Sequence, residues 1–127
     1  MIYIVDRFYL YCIIQIKKIV EEKMEYMNNN TLTLDTALNV LRRHKSEFEE
    51  KYGITDIGVF GSVARGDAGS DSDIDVVIKM KKPDLFFMVH IKEELEDEYK
   101  TSVDIIHYRE QMNSFLKQRI DRDAVYV

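Results

Sequence analysis

The rhythm of apolar positions changes several times along the chain. Leu34, Ala37, Leu38, Leu41, Phe48 and Tyr52 recur at mostly helical spacing, which predicts an amphipathic helix over 36–52. Asp35 can cap its start, and Gly53 suits the position just past its end. Residues 54–60 read as a strand. Residues 61–72 are small and polar, with glycine at 61, 66 and 69, and read as a turn or short helical loop. Residues 73–80 read as a second strand, with Ile74, Val76 and Ile78 on one face and Asp73, Asp75 and Val77 on the other. Pro83 and Asp84 open a helix whose buried stripe is predicted to be Leu85, Met88, Leu95 and Tyr99. Residues 102–108 read as a third strand. Met112, Phe115, Leu116 and Ile120 suggest a last helix. This order predicts an α+β fold, a two-layer α/β arrangement with helices packed on a small mixed sheet.

The N-terminal part reads differently. Asn28, Asn29 and Asn30 form a polar break, so residues 1–30 are read as an N-terminal extension and 31–127 as the domain proper. The apolar run Phe8–Ile16 is far shorter than the about 20 residues a bilayer requires. Asp6 offsets Arg7 ahead of it and no small-residue cleavage site follows, so neither a membrane span nor a secretory signal is expected. Residues 2–20 read as an extra helix or strand, or as a leader ahead of a start at Met24 or Met27. A length of 127 residues suits one domain. The net charge of -5 argues against direct nucleic-acid binding, which needs a basic face. Cys12 is the single cysteine, so no internal disulfide can form, and a reducing cytoplasm is expected.

The chemistry concentrates in residues 61–75, Gly-Ser-Val-Ala-Arg-Gly-Asp-Ala-Gly-Ser-Asp-Ser-Asp-Ile-Asp. Alternation along a strand puts Asp73 and Asp75 on one face, with Cα atoms roughly 6.5–7 Å apart. Carboxylates converging in this way repel unless a cation lies between them, and a hard divalent ion such as Mg²⁺ would serve. Gly61 lets a phosphate approach the backbone, Ser62 can donate to it, and Arg65 offers a planar charged fork. Asp104 lies mid-run in the third strand, where a buried acid needs a partner. If that strand lies beside the second, three carboxylates and substrate oxygens could hold two metal ions. Taken alone, the acidic stretch also reads as a solvated turn. Two other motif readings fail. After the outer glycines of a phosphate loop come Asp67 and Ala68 rather than Lys and Ser/Thr. A calcium loop starting at Asp71 would have Val76 at its glycine position and Lys82 at its last ligand. His44, His90 and His107 are read as structural, and Lys79–Lys82 as a solvated strand end.

Gly61-Ser62, a spacer of ten residues, then Asp73-Ile74-Asp75 and the later Asp104 resemble the DNA polymerase beta-like nucleotidyltransferase superfamily. Gly-Ser-Val-Ala-Arg-Gly at 61–66 and Ser-Asp-Ser-Asp-Ile-Asp at 70–75 are similar to the minimal nucleotidyltransferases, the antitoxin type paired with HEPN toxins. The resemblance covers roughly residues 35–127. It implies that Asp73, Asp75 and Asp104 are catalytic and bind metal, two Mg²⁺ ions in all, and that Gly61, Ser62 and Arg65 bind the nucleotide. It also implies transfer of AMP from ATP to a tyrosine of a HEPN-domain toxin, which silences that toxin. The alternatives are a small-molecule nucleotidyltransferase completed by another subunit, and a non-catalytic antitoxin that neutralises its partner by contact.

Overall fold

The computed structural model describes residues 13–18, 32–69 and 72–127. The chain falls into two compact units, Met1–Asn30 and Thr31–Val127. Within the first, residues 13–18 are helical. The remainder of the 2–20 reading lies outside the described residues, as do Ser70 and Asp71. Among the described residues, no helix is long and apolar enough to cross a membrane.

The second unit runs α1 (Leu34–Tyr52), β1 (Ile54–Phe60), α2 (Gly61–Arg65), β2 (Ile74–Met80), α3 (Leu85–Tyr99), β3 (Val103–His107), α4 (Ser114–Asp123) and β4 (Val125–Tyr126). The strands form one mixed sheet in the order β3-β2-β1-β4. β1 runs antiparallel to β2 and to β4, while β2 and β3 are parallel. The expected mixed sheet covered by helices is the fold observed.

Helix α1 starts two residues earlier than its apolar spacing suggests. Thr33, not Asp35, is the cap. Its hydroxyl accepts from the Thr36 amide at 3.2 Å, and the Thr33 amide donates back to the Thr36 hydroxyl at 3.1 Å. Threonine here fills the capping-box position usually held by Glu or Gln. Asp35 instead places its charge in the first turn, where the helix dipole favours an anion. Gly53 ends the helix as expected, at φ 68°. Asp84 caps α3 by accepting from the amides of Phe86 and Phe87.

The main core lies between one sheet face and helices α1 and α3. Leu38, Leu41 and Phe48 pack there with Ile74, Val76 and Ile78. A smaller cluster on the opposite face joins Phe60, Val77 and Ile120, with Leu116 and Met112 partly buried against it. One expected core position is corrected, and one apolar residue of the last helix lies off its buried face. Leu85 is 74% exposed and Phe115 is 78% exposed. The buried stripe of α3 is Ile91, Leu95 and Tyr99, spaced by four. Continued backward it reaches Phe87 and Met88, and Leu85 falls off it. In α4 the stripe passes through Leu116 and Ile120, and Phe115 points away from it.

One buried polar contact ties α3 to α1. The Tyr99 hydroxyl donates to the Ala37 carbonyl at 2.6 Å, and burial raises the pKa of the phenol well above its ordinary value. Tyr99→Phe is expected to keep the fold and cost about 1 kcal/mol, read as a lower urea midpoint at unchanged slope. An unchanged midpoint would show that the hydroxyl contributes nothing.

Candidate active site

β1 ends at Phe60, and the chain turns at once into the five-residue helix α2. Gly61 makes that turn with φ 71°, a conformation costly for residues with a side chain. A Cβ at this position would also collide with the Asp75 carboxylate oxygen. Gly61 therefore serves two needs. It allows the turn, and it lets the Asp75 carboxylate lie directly against the backbone ahead of Ser62.

Strand register assembles the rest. Asp75 stands opposite Phe60 of β1 and is the direct partner of Asp104 on β3. Adjacent strands lie about 4.8 Å apart, so the two carboxylates are close neighbours on one sheet face. Both line an open cleft of about 350 Å³, together with Phe60, Ile106, Leu116 and Arg119. Asp75 is half-buried, and its pKa is pushed above the usual carboxylate value. Burial is the main cause and repulsion from Asp104 the next. Arg119 opposes the shift and Asp73 adds to it.

Asp104 is exposed, which corrects the expectation of a buried acid mid-strand. β3 is the edge of the sheet, so an apolar run there need not be covered on both faces. Asp73 sits one residue before β2, exposed, and it does not line the cleft, although Asp75 feels its charge. Ser62 lies in the first turn of α2, half-exposed beside Gly61. Arg65 is engaged elsewhere. Its guanidinium pairs with Asp67 at 3.2 Å and with Asp123 at 2.9 Å, and Arg122 also pairs with Asp123 at 2.8 Å. The Asp123 carboxyl, hydrogen-bonded first to Arg122 and then to Arg65, is held down to about 2.

Arg119 is the functional candidate that sequence reading missed. The available signal was its place three residues after Leu116 and one before Ile120, which sets it beside the buried stripe of the helix. None of the three histidines lines the cleft. His44 stacks on Phe48 and bonds Glu98 at 2.8 Å, and His90 stacks on Tyr52. His107 is partly buried, and that burial lowers its pKa. Lys79 lies over the rings of Tyr108 and Tyr126 rather than standing solvated at a strand end.

Among the described residues, no three His, Cys, Asp or Glu side chains converge into a metal cage. Two neighbouring carboxylates that repel, one of them half-buried, instead suit a hard cation that completes its shell with substrate oxygens. The donor set fits Mg²⁺ in that mode.

A mixed sheet carrying paired acids beside a Gly-Ser turn is what the resemblance to the nucleotidyl-transfer enzymes implies. Residues 41–127 match the nucleotidyltransferase domain family, and the chain belongs to it. It is 35% identical over 97 residues to the protein adenylyltransferase MntA of Thermococcus cleftensis, covering 76% of this chain and 97% of that one. A relative from Methanocaldococcus jannaschii, provisionally named as a protein adenylyltransferase, is 34% identical over 75% of this chain and 98% of its own length. Among solved structures, a toxin–antitoxin complex with AMP-PNP shares the fold at TM-score 0.56 and 20% identity, covering 75% of this chain and 72% of that one. The protein is a nucleotidyltransferase.

Gly61→Ala is expected to displace the Asp75 carboxylate and lower the nucleotidyl-transfer rate on the order of 100-fold. A variant of near wild-type rate would show that the contact is not needed. Asp75 gives a pH test in metal-free protein. Its folded-state pKa lies above its unfolded value, so the folded state binds the proton more tightly. Stability then falls as pH climbs from the ordinary value of about 3.9 through the raised one, and is level above it. Asp75→Asn should therefore raise the melting midpoint at pH 7 in EDTA, and this gain should vanish in acid. A gain that grew in acid would contradict the assignment.

Proposed function

We propose that this protein transfers AMP from ATP to a tyrosine of a HEPN-domain toxin and thereby acts as its antitoxin. Residues 31–127 carry the activity, and residues 1–30 form a separate extension. The observation that carries this reading is the register pairing of Asp75 with Asp104, with Gly61 fitted against Asp75. The adenylyltransferase names of the relatives support AMP as the transferred group. A solved complex of an AMPylated HEPN toxin from Shewanella oneidensis with its MNT antitoxin supports the kind of partner; it has TM-score 0.51 and 19% identity, covering 70% of this chain and 68% of that one. The setting is cytoplasmic, and the reaction calls for no nucleic-acid contact.

Gly61 and Ser62 hold the leaving phosphates, with the Ser62 hydroxyl donating to their oxygens. Asp75 and Asp104 would hold the metal, and Asp73, just ahead of β2, adds its negative charge to the same site. Mg²⁺, when bound, neutralises charge on the phosphates. The tyrosine oxygen attacks the α-phosphorus in line, a new O–P bond forms, and the bond to the β-phosphate bridging oxygen breaks. Asp104, exposed at the cleft rim, accepts the tyrosine proton and passes it to water. Pyrophosphate departs. Holding the reactants in line and neutralising their charge supply the rate.

The test is incubation with Mg²⁺, ATP labelled on the α-phosphate and the HEPN-domain protein encoded beside this one. Label should appear on a tyrosine of that protein and fall at least 1000-fold with Asp75→Asn/Asp104→Asn, a bound set by losing two charged groups. Neutralisation of the toxin by the double variant without label would favour a contact-only antitoxin. Label on a small molecule alone would point to a different acceptor.

A further inference from the structure

Transfer from a triphosphate leaves negative charge in two places, on the phosphates that depart and on the phosphoryl group that moves. Gly61 lies on the β1 side of Asp75, and Asp104 lies on its β3 side. A nucleotide whose leaving phosphates rest at Gly61 and Ser62 therefore sets its α-phosphorus beside Asp75 and Asp104. Three arginines belong to this end of the domain. Arg65 is held by Asp67 and Asp123, and Arg122 by Asp123. Recruiting either would mean breaking charge-assisted hydrogen bonds already made.

Arg119 differs from both. Among the described residues, no hydrogen bond or ion pair engages it, and it lines the cleft that contains both carboxylates. Helix α4 fixes it there. Leu116, one turn earlier, lines the same cleft, and Ile120 beside it is fully buried, so the helix cannot rotate Arg119 away. Its charge also reaches Asp75, where it opposes the effect of burial.

We propose that Arg119 binds the non-bridging oxygens of the nucleotide's α-phosphoryl group during transfer. This rests on the nucleotidyl-transfer reading given above. A guanidinium is permanently charged and planar, and its paired donors match two oxygens of one phosphorus. Without nucleotide, the same group offsets the repulsion between Asp75 and Asp104. With nucleotide, it turns to the charge that the carboxylates would otherwise repel. Lys92, also on the cleft wall, comes from α3 and carries a point charge without that fork.

The experiment compares the full-length protein with Arg119→Gln and Arg119→Lys, two exposed-site changes that leave the core untouched. ³¹P NMR of bound AMP-PNP with Mg²⁺ is recorded alongside steady-state AMP transfer. Arg119→Gln is expected to move the α-phosphorus resonance while the β and γ resonances stay. kcat should fall on the order of 100-fold with KM for ATP changed less than about threefold, and Arg119→Lys should recover part of the loss. An unmoved α resonance with kcat within about threefold of wild type would overturn the assignment to Arg119 and leave the proposed function standing. So would a loss confined to KM with shifted β and γ resonances, which would put Arg119 on the leaving group. A wild-type protein that bound no AMP-PNP would overturn both.

Discussion

The site depends on one register: Asp75 beside Asp104 across the parallel β2–β3 pair. A slip of one residue would turn one carboxylate into the core and bring a core side chain out. The register is held from the other face. Ile74, Val76, Ile78 and Val103 are fully buried there against α1 and α3, so any slip would expose them. The geometry of the paired acids is thus set by hydrophobic burial on the opposite sheet face. The acids repel, and the core holds them together.

The turn at Gly61 is the second half of that constraint. Asp75 lies against the backbone at Gly61, so a side chain there would displace its carboxylate as well as strain the turn. The closeness that would make an alanine Cβ displace Asp75 is the same closeness that puts a carboxylate next to Ser62. The groups proposed to hold phosphate and metal are then neighbours by backbone geometry rather than by long flexible side chains, which lose more entropy when ordered. Arg65 serves this frame in another way. By bridging to Asp123 it links α2 to the end of α4, the helix that carries Arg119.

Much of this was legible from residue patterns. The period-two alternation in 74–80 and the Gly-Ser and Asp-x-Asp spacing locate the two inner strands and put Asp75 on the cleft face, while Asp73, grouped with it by alternation, falls just outside the strand. The strand ends shifted by only a residue, as expected where pairing stops. The parts that were not legible have physical causes. β4 is two residues long and shows no alternation, and it pairs with β1 only because Gly58 leaves room for it. A Cβ at Gly58 would lie 2.5 Å from the Val125 carbonyl. That contact lies far apart in sequence and leaves no local trace. The Thr33–Thr36 cap was hidden by the better-known preference for Asp, and the exposure of Asp104 by its apolar neighbours.

The arginines show the same limit most sharply. Arg65 sits inside the recognisable motif, and its type suits phosphate, so residue pattern alone favours it. What decides its engagement is Asp123, fifty-eight residues away, which only the folded chain brings within 2.9 Å. Arg119 sits in no motif, yet the helix that buries Ile120 places it in the cleft. A charged group is available to a substrate only when the fold has not already satisfied it. Availability is a property of tertiary structure, and a motif records which residue types are present without recording which of them are already paired.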